Sequence, residues 1–212
     1  MLESIAERLS LKKIRSLYND KFTKMVLPKQ FDFPPLGRRI VVVGSSGSGK
    51  TTLANTLASR LSIPHVEIDA LQWQPGWQEA GLPLLRSRIS EALSGPEWVV
   101  DGNYAHLRDI TWARGDTLVW LELPLGIVLW RLINRTFTRI FTREELWNGN
   151  HETLRGAFFS KDSLVLYMLK TRKKHHYGYP LALKQPEYCH LKLIHLRTPA
   201  QVTYWLNFIG PG

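Results

Sequence analysis

Apolar residues along this chain fall into short runs separated by stretches of helical period. "IVVV" at 40–43, "HVEI" at 65–68, "WVV" at 98–100, "TLVWL" at 117–121 and "HLKLIHL" at 190–196 are bounded by turn-forming or charged residues and read as strands. Residues 51–61, residues 79–93 and "WRLINRTFTRI" carry helical spacing. The final segment, "TPAQVTYWLNFIG", reads as a helix with Thr198 as its cap and Pro199 at its first position. Strands alternating with helices predict an α/β fold whose five-stranded, mostly parallel sheet is covered on both faces.

Ahead of the first strand, Leu2, Ile5, Leu9, Ile14 and Leu17 recur at roughly helical spacing, and the proline-rich "LPKQFDFPPLGRR" then breaks regular structure. Residues 1–37 are therefore expected to be a helical extension and linker, and residues 38–212 the main domain, with a short helical lid at about 131–155. The most apolar run, "TLVWLELPLGIVLWRL" at 117–132, is interrupted by Glu122 and Pro124, which suits a buried strand leading into a helix rather than a membrane span. No cleaved leader is legible at the N-terminus.

Composition adds little to the fold but narrows the setting. Cys189 is the single cysteine, so no internal disulfide forms and a reducing cytoplasm is the expected home. The net charge of +10 concentrates in residues 1–40 and 125–176, outside the first sheet half; one block is expected to be a solvated tail and the other to face polyphosphate or make non-specific contact with nucleic acid. Monomer and dimer both stay open.

The chemistry is carried by "GSSGSGKT" at 44–51, which sits between a β-branched strand and an amphipathic helix. Glycine, four residues, glycine, lysine and a hydroxyl residue form a loop whose small side chains let backbone N–H groups wrap a phosphate at a helix N-terminus. Gly44, Ser45, Ser46, Gly47, Ser48, Gly49, Lys50, Thr51 and Thr52 are the candidate nucleotide ligands. Lys50 is expected at the β and γ phosphates of ATP, the Thr51 hydroxyl on Mg²⁺, and Thr52 at the α phosphate. Asp69 and Asp101 stand at the ends of expected strands, where such sheets gather ligands. Each is a candidate to take a proton from an acceptor hydroxyl or to organise Mg²⁺, with the division of roles between them open, or else simply caps the next turn by accepting backbone hydrogen bonds.

Arg131, Arg135 and Arg139 recur every four residues along one helical face, which is either a clamp suited to a transferring phosphoryl group and its nucleotide or a plain charged helix surface. Arg143 and Arg172 extend the basic set. Trp73 and Trp77 flank a Pro-Gly turn and either pack on the body or line a pocket for a flat or apolar acceptor, and Tyr104 shares that ambiguity. His175 and His176 are adjacent and point apart on a helix, so they make no metal pair.

"GSSGSGKTTLANTLASRL", "IDALQWQPGW", "WVVDGNY", "GDTLVWLELP" and "REELWNGNHETL" together resemble the adenylate-kinase-related DNA topology modulation proteins, within the P-loop nucleoside and small-molecule kinases. The resemblance spans roughly residues 38–206. It implies a P-loop NTPase fold and an ATP- and Mg²⁺-dependent phosphotransferase acting on a small hydroxyl or phosphate acceptor, such as a nucleoside or nucleotide. It also implies acceptor-side roles for Asp69 and Asp101, lid arginines at Arg131 and Arg135 with Arg139 beyond them, and adenine contacts from "RTPAQ" at 197–201. "DALQWQPGW" replaces the arginine-bearing nucleoside-monophosphate segment of adenylate kinases, which argues against adenylate kinase activity itself. The alternative is a nucleic-acid-associated ATP-binding protein that affects DNA topology.

Overall fold

The computed structural model describes residues 33–153 and 164–209, and the fold below is that of the unit beginning at Pro34. The expected helix at 2–18 lies outside the described residues, as does the end of the expected lid region.

Five parallel strands lie in the order β2-β5-β1-β6-β7, formed by Arg39–Gly44 (β1), His65–Glu67 (β2), Trp98–Asp101 (β5), Thr117–Leu121 (β6) and Lys192–Leu196 (β7). Every pairing in this sheet is parallel, so the expectation of a mostly parallel sheet is met. β1 is central, and Ile40 through Val43 are buried on both faces, the reason this strand reads as an unbroken β-branched run.

Helices cover both faces. Lys50–Leu61 (α1) buries Leu53, Ala54 and Leu57. On the opposite face Val41, Val43, Trp98, Val100, Leu118 and Trp120 form one core. Leu85 and Ile89 of Leu82–Ala92 (α3) and Ile110 and Trp112 of Arg108–Arg114 (α4) join it. The chain leaves β1 towards α1 and leaves β5 towards α4, so the crevice at the ends of β1 and β5 is where loops diverge to opposite faces. β6 leads into Leu125–Thr142 (α5), and Leu164–Ala182 (α6) precedes β7. Pro199–Phe208 (α7) closes the fold, and Thr198 accepts from the Gln201 amide in a capping box, as the sequence predicts.

The helices Arg108–Arg114 and Leu164–Ala182 were not among the expected elements, the last strand begins at Lys192, not at residue 190, and two further departures lie near the crevice. The second strand ends at Glu67, and Ile68–Gln72 forms a short helix (α2) where the pattern predicts strand through Ile68. Trp73–Gln74 (β3) and Gln78–Glu79 (β4) form an antiparallel ribbon around Pro75–Trp77, so the next helix begins at Leu82 rather than at residue 79. Gly76 takes a φ of 72° in that bend, which a leucine or valine resists.

The loop between β1 and α1 presses on α5. Gly47 has φ +81°, and a Cβ there would come within 2.5 Å of the Val128 carbonyl oxygen. Gly47→Ala is therefore expected to cost at least about 1–2 kcal/mol, read as a lowered urea midpoint with an unchanged slope.

Candidate functional site

The loop from Gly44 to Gly49 is short and held at both ends. Ser48 N–H donates to the Ser45 carbonyl at 3.0 Å, and Leu53 N–H donates to the Gly49 carbonyl at 2.9 Å as α1 begins. Gly49 takes a left-handed conformation with φ 89°. The N–H groups of Gly47, Gly49, Lys50 and Thr51 find no acceptor among the described residues. The first N–H groups of a helix are unpaired by construction, and here those of the loop add to them, leaving a concentration of donors suited to an anion. Lys50 opens α1, and its charge is felt by both Glu67 and His175.

Asp101 ends β5 and is 1% exposed. A buried carboxylate requires partners, and it has two: Thr51 Oγ1 donates to Oδ2 at 2.7 Å, and His65 Nε2 lies 2.9 Å from Oδ1. Both oxygens are thereby committed. Asp69 differs. It lies in the first turn of α2 and accepts from the Tyr104 hydroxyl at 2.7 Å through Oδ1. Burial and the Asp69 charge push the Tyr104 hydroxyl well above its ordinary range, so it stays a donor. Tyr167 is raised for the same two reasons.

A parallel sheet in the order β2-β5-β1-β6-β7, a phosphate loop after its central strand and an aspartate bonded to the loop's hydroxyl residue define one fold. This is the P-loop nucleoside triphosphatase fold. Residues 40–100 match the family described as ATPase family associated with various cellular activities (AAA), a span that runs from β1 into β5. No curated protein matches the chain. Among solved structures, a sugar kinase from a Janibacter species is similar at 21% identity, covering 83% of this chain and 97% of that one with a TM-score of 0.44. A gluconokinase from Sinorhizobium meliloti is similar at 18% identity, with 81% and 95% covered and a TM-score of 0.45. A shikimate kinase from Bacteroides thetaiotaomicron is similar at 16% identity, with 81% and 96% covered and a TM-score of 0.49.

The arginine stripe on α5 splits into three environments. Arg131 reaches the phosphate loop, donating to the Ser48 carbonyl over a long 3.4 Å. Arg135 is largely buried, and its Nε has no hydrogen-bond partner among the described residues. Burial and the neighbouring Arg139 hold its pKa down, while Glu152 and Asp69 oppose them. Arg139 sits in ion pairs, 3.4 Å from Glu144 and 3.2 Å from Glu152. Only Arg131 of the three touches the loop in this structure. Arg172 donates to the Leu123 carbonyl at 2.7 Å and so braces the turn between β6 and α5. The 197–201 segment adjoins the end of β6, where Glu122 N–H donates to the Leu196 carbonyl.

The tryptophans of the ribbon pack on the segment that follows α5 instead of standing free. Trp73 meets Trp77 edge-on at 5.4 Å, and Trp77 meets Trp147 at 6.3 Å. Asn148 Nδ2 donates to the Trp73 carbonyl, Asn150 Nδ2 to the Gln74 carbonyl at 2.9 Å, and Trp77 N–H to Asn150 Oδ1 at 2.7 Å. Residues 73–79 and 146–151 thus form one body beside the crevice.

Three participants were not singled out in the sequence reading. His65 supports Asp101, Glu67 stands beside Asp69 and Asp101, and Trp147 hydrogen-bonds Glu67. Burial raises the Glu67 pKa, the two aspartates add to the rise, and Trp147 and Lys50 oppose it. The signal was present in "HVEI", where His65 and Glu67 share one side of a strand paired through Glu67 with Asp101. His175 and His176 do point apart: His175 stacks on Tyr179 at 4.7 Å, while His176 pairs with Glu122.

His175 carries a pH dependence of stability. Burial, followed by the charges of Arg108, Lys174 and Lys50, lowers its pKa to about 4, below the value of about 6.5 expected in the unfolded chain. The unfolded chain binds this proton first as pH falls, so stability drops between about pH 6.5 and 4 and levels off below. His175→Phe, which retains the stack on Tyr179, is expected to flatten that limb in denaturant titrations at pH 7 and pH 5.

Proposed function

We propose that this protein transfers the γ-phosphoryl group of ATP to a hydroxyl or phosphate oxygen of a small acceptor, such as a nucleoside, nucleotide or polyol. The observation that carries the reading is the opposition of two differently prepared carboxylates across the ends of β2 and β5. Asp101 is buried and tied to the phosphate loop through Thr51, and Asp69 is partly exposed with only one oxygen engaged by Tyr104.

In this reading the loop amides and Lys50 hold the β and γ phosphates, and Arg131 and Arg135 offset charge on the transferring group. Asp69 accepts the acceptor's proton as its oxygen bonds to phosphorus, the bond from phosphorus to the bridging oxygen breaks, and ADP departs. The commitment of both Asp101 oxygens favours Asp69 as the base and Asp101 as organiser of the metal.

The donor set suits Mg²⁺, a hard cation that takes a hydroxyl, a carboxylate, waters and phosphate oxygens and needs no dedicated protein cage. Among the described residues no group of three or more His, Cys, Asp or Glu side chains forms such a cage. Thr51 would hold the ion, with Asp101 orienting its waters, and it would neutralise charge on the β and γ phosphates.

The finer reading, a member of the DNA topology modulation group, rests on the sequence resemblance. Charge alone speaks for a nucleic-acid role, and the arginines of α5 spread into the loop, the crevice and ion pairs instead of forming one basic surface. No helix among the described residues is long and apolar enough to cross a membrane.

The test is ATP consumption with Mg²⁺ over a panel of nucleosides, nucleoside monophosphates, sugar acids and polyols, with products identified by mass spectrometry. One acceptor is expected to yield a phosphorylated product, and Lys50→Ala to lower the rate by about 10²-fold or more. Asp69→Asn is expected to lower kcat by about 10²–10⁴-fold while ATP still binds. ATP binding without turnover of any acceptor would count against the phosphotransferase.

A further inference from the structure

We infer that Asn103 is a positioning residue for the phosphate loop, its side-chain amide standing in for the next rung of the β1–β5 ladder and setting the conformation at which the loop receives phosphates. The inference rests on the nucleotide-binding reading of that loop.

β1 and β5 pair through Val42 and Asp101, and the last backbone bond between them runs from Gly102 N–H to the Val42 carbonyl at 3.3 Å. β1 continues to Gly44, still paired with β6 through Leu121. On the β5 side the strand has ended, and the N–H and C=O of Gly44 would lack a rung. Asn103 supplies it: Oδ1 accepts from Gly44 N–H at 3.1 Å, and Nδ2 donates to the Gly44 carbonyl. A carboxamide is a peptide group on a side chain, with one face to accept and one to donate. Gly102 lets the chain turn out of the strand, with φ +152° and only 2.9 Å between an added Cβ and the Ile68 side chain.

The amide is held from behind. The Tyr179 hydroxyl, carried on α6, donates to the same Oδ1 at 3.0 Å. The Tyr179 ring is buried edge-on against Trp112 at 5.5 Å and Trp120 at 5.3 Å. The usual task of an asparagine after glycine is to bond its own turn, but the hydrogen bonds of Asn103 all go to Gly44 and Tyr179. Gly44 is the first residue of the phosphate loop, whose far end is anchored by Leu53 on Gly49. Asn103 fixes the near end, so the unpaired amides between are preorganised instead of being ordered on binding.

The test is calorimetric titration of the full chain with MgATP between pH 8 and pH 5, each variant compared with the wild type at the same pH, alongside thermal melts. Asn103→Ala is expected to weaken ATP about tenfold. Asn103→Asp keeps the acceptor but sets a second oxygen against the Gly44 carbonyl. It should bind at least as poorly at pH 8 and recover towards the wild type as its carboxyl gains a proton and with it a donor. Tyr179→Phe, which keeps the ring in place, should weaken ATP severalfold and serves if the Asn103 variants do not fold. Variants that bind within twofold of the wild type at every pH, or that melt earlier with affinity unchanged, overturn the inference and leave the nucleotide reading standing. A wild type that binds no ATP overturns both.

Discussion

A buried carboxylate at the end of β5 governs the architecture around the phosphate loop. Asp101 is sealed from solvent, where an unpaired charge is costly, and its two oxygens are satisfied by Thr51 on α1 and His65 on β2. One side chain therefore links α1 to the edge strand β2 through β5. The same bonds engage both of the aspartate's oxygens, whereas among the described residues the neighbouring Asp69 is bonded through one oxygen, by Tyr104.

A second constraint is the divergence of the chain at the ends of β1 and β5. α1 leaves to one face and α4 to the other, opening a crevice between them. Candidate site residues are fastened to its rim: the phosphate loop on one side, α2 with Asp69 on the other, and Tyr104 bonded to Asp69. α5 abuts the loop at Gly47 and carries Arg131 to Ser48 and Arg135 into the charge field of Asp69. Position along one helix thus sorts similar arginines into separate environments.

The strands were legible because buried parallel strands are continuous β-branched runs, and the phosphate loop because its glycines, two of them at positive φ, precede a lysine and a hydroxyl residue at fixed spacing. The ribbon at 73–79 was not. Its two-residue strands are too short to show alternation, and much of what holds it, Trp147, Asn148 and Asn150, lies some seventy residues away. Arg139 shows a related limit: helical spacing gave its face but carried no trace of Glu144 and Glu152, with which it pairs. His65 and Glu67 were visible as polar residues on a strand, yet their importance depends on register with β5, which short strands do not encode locally.

The attachment of the ribbon has a consequence for how the protein changes over generations. Asn148 and Asn150 bond to the backbone carbonyls of Trp73 and Gln74 and to the backbone amide of Trp77. A carbonyl is the same whichever side chain it belongs to. Those hydrogen bonds do not depend on ribbon side-chain identity, so residues beside the crevice can be exchanged one at a time without removing them. Substitution on the ribbon is thereby uncoupled from the bonds that hold it beside the crevice.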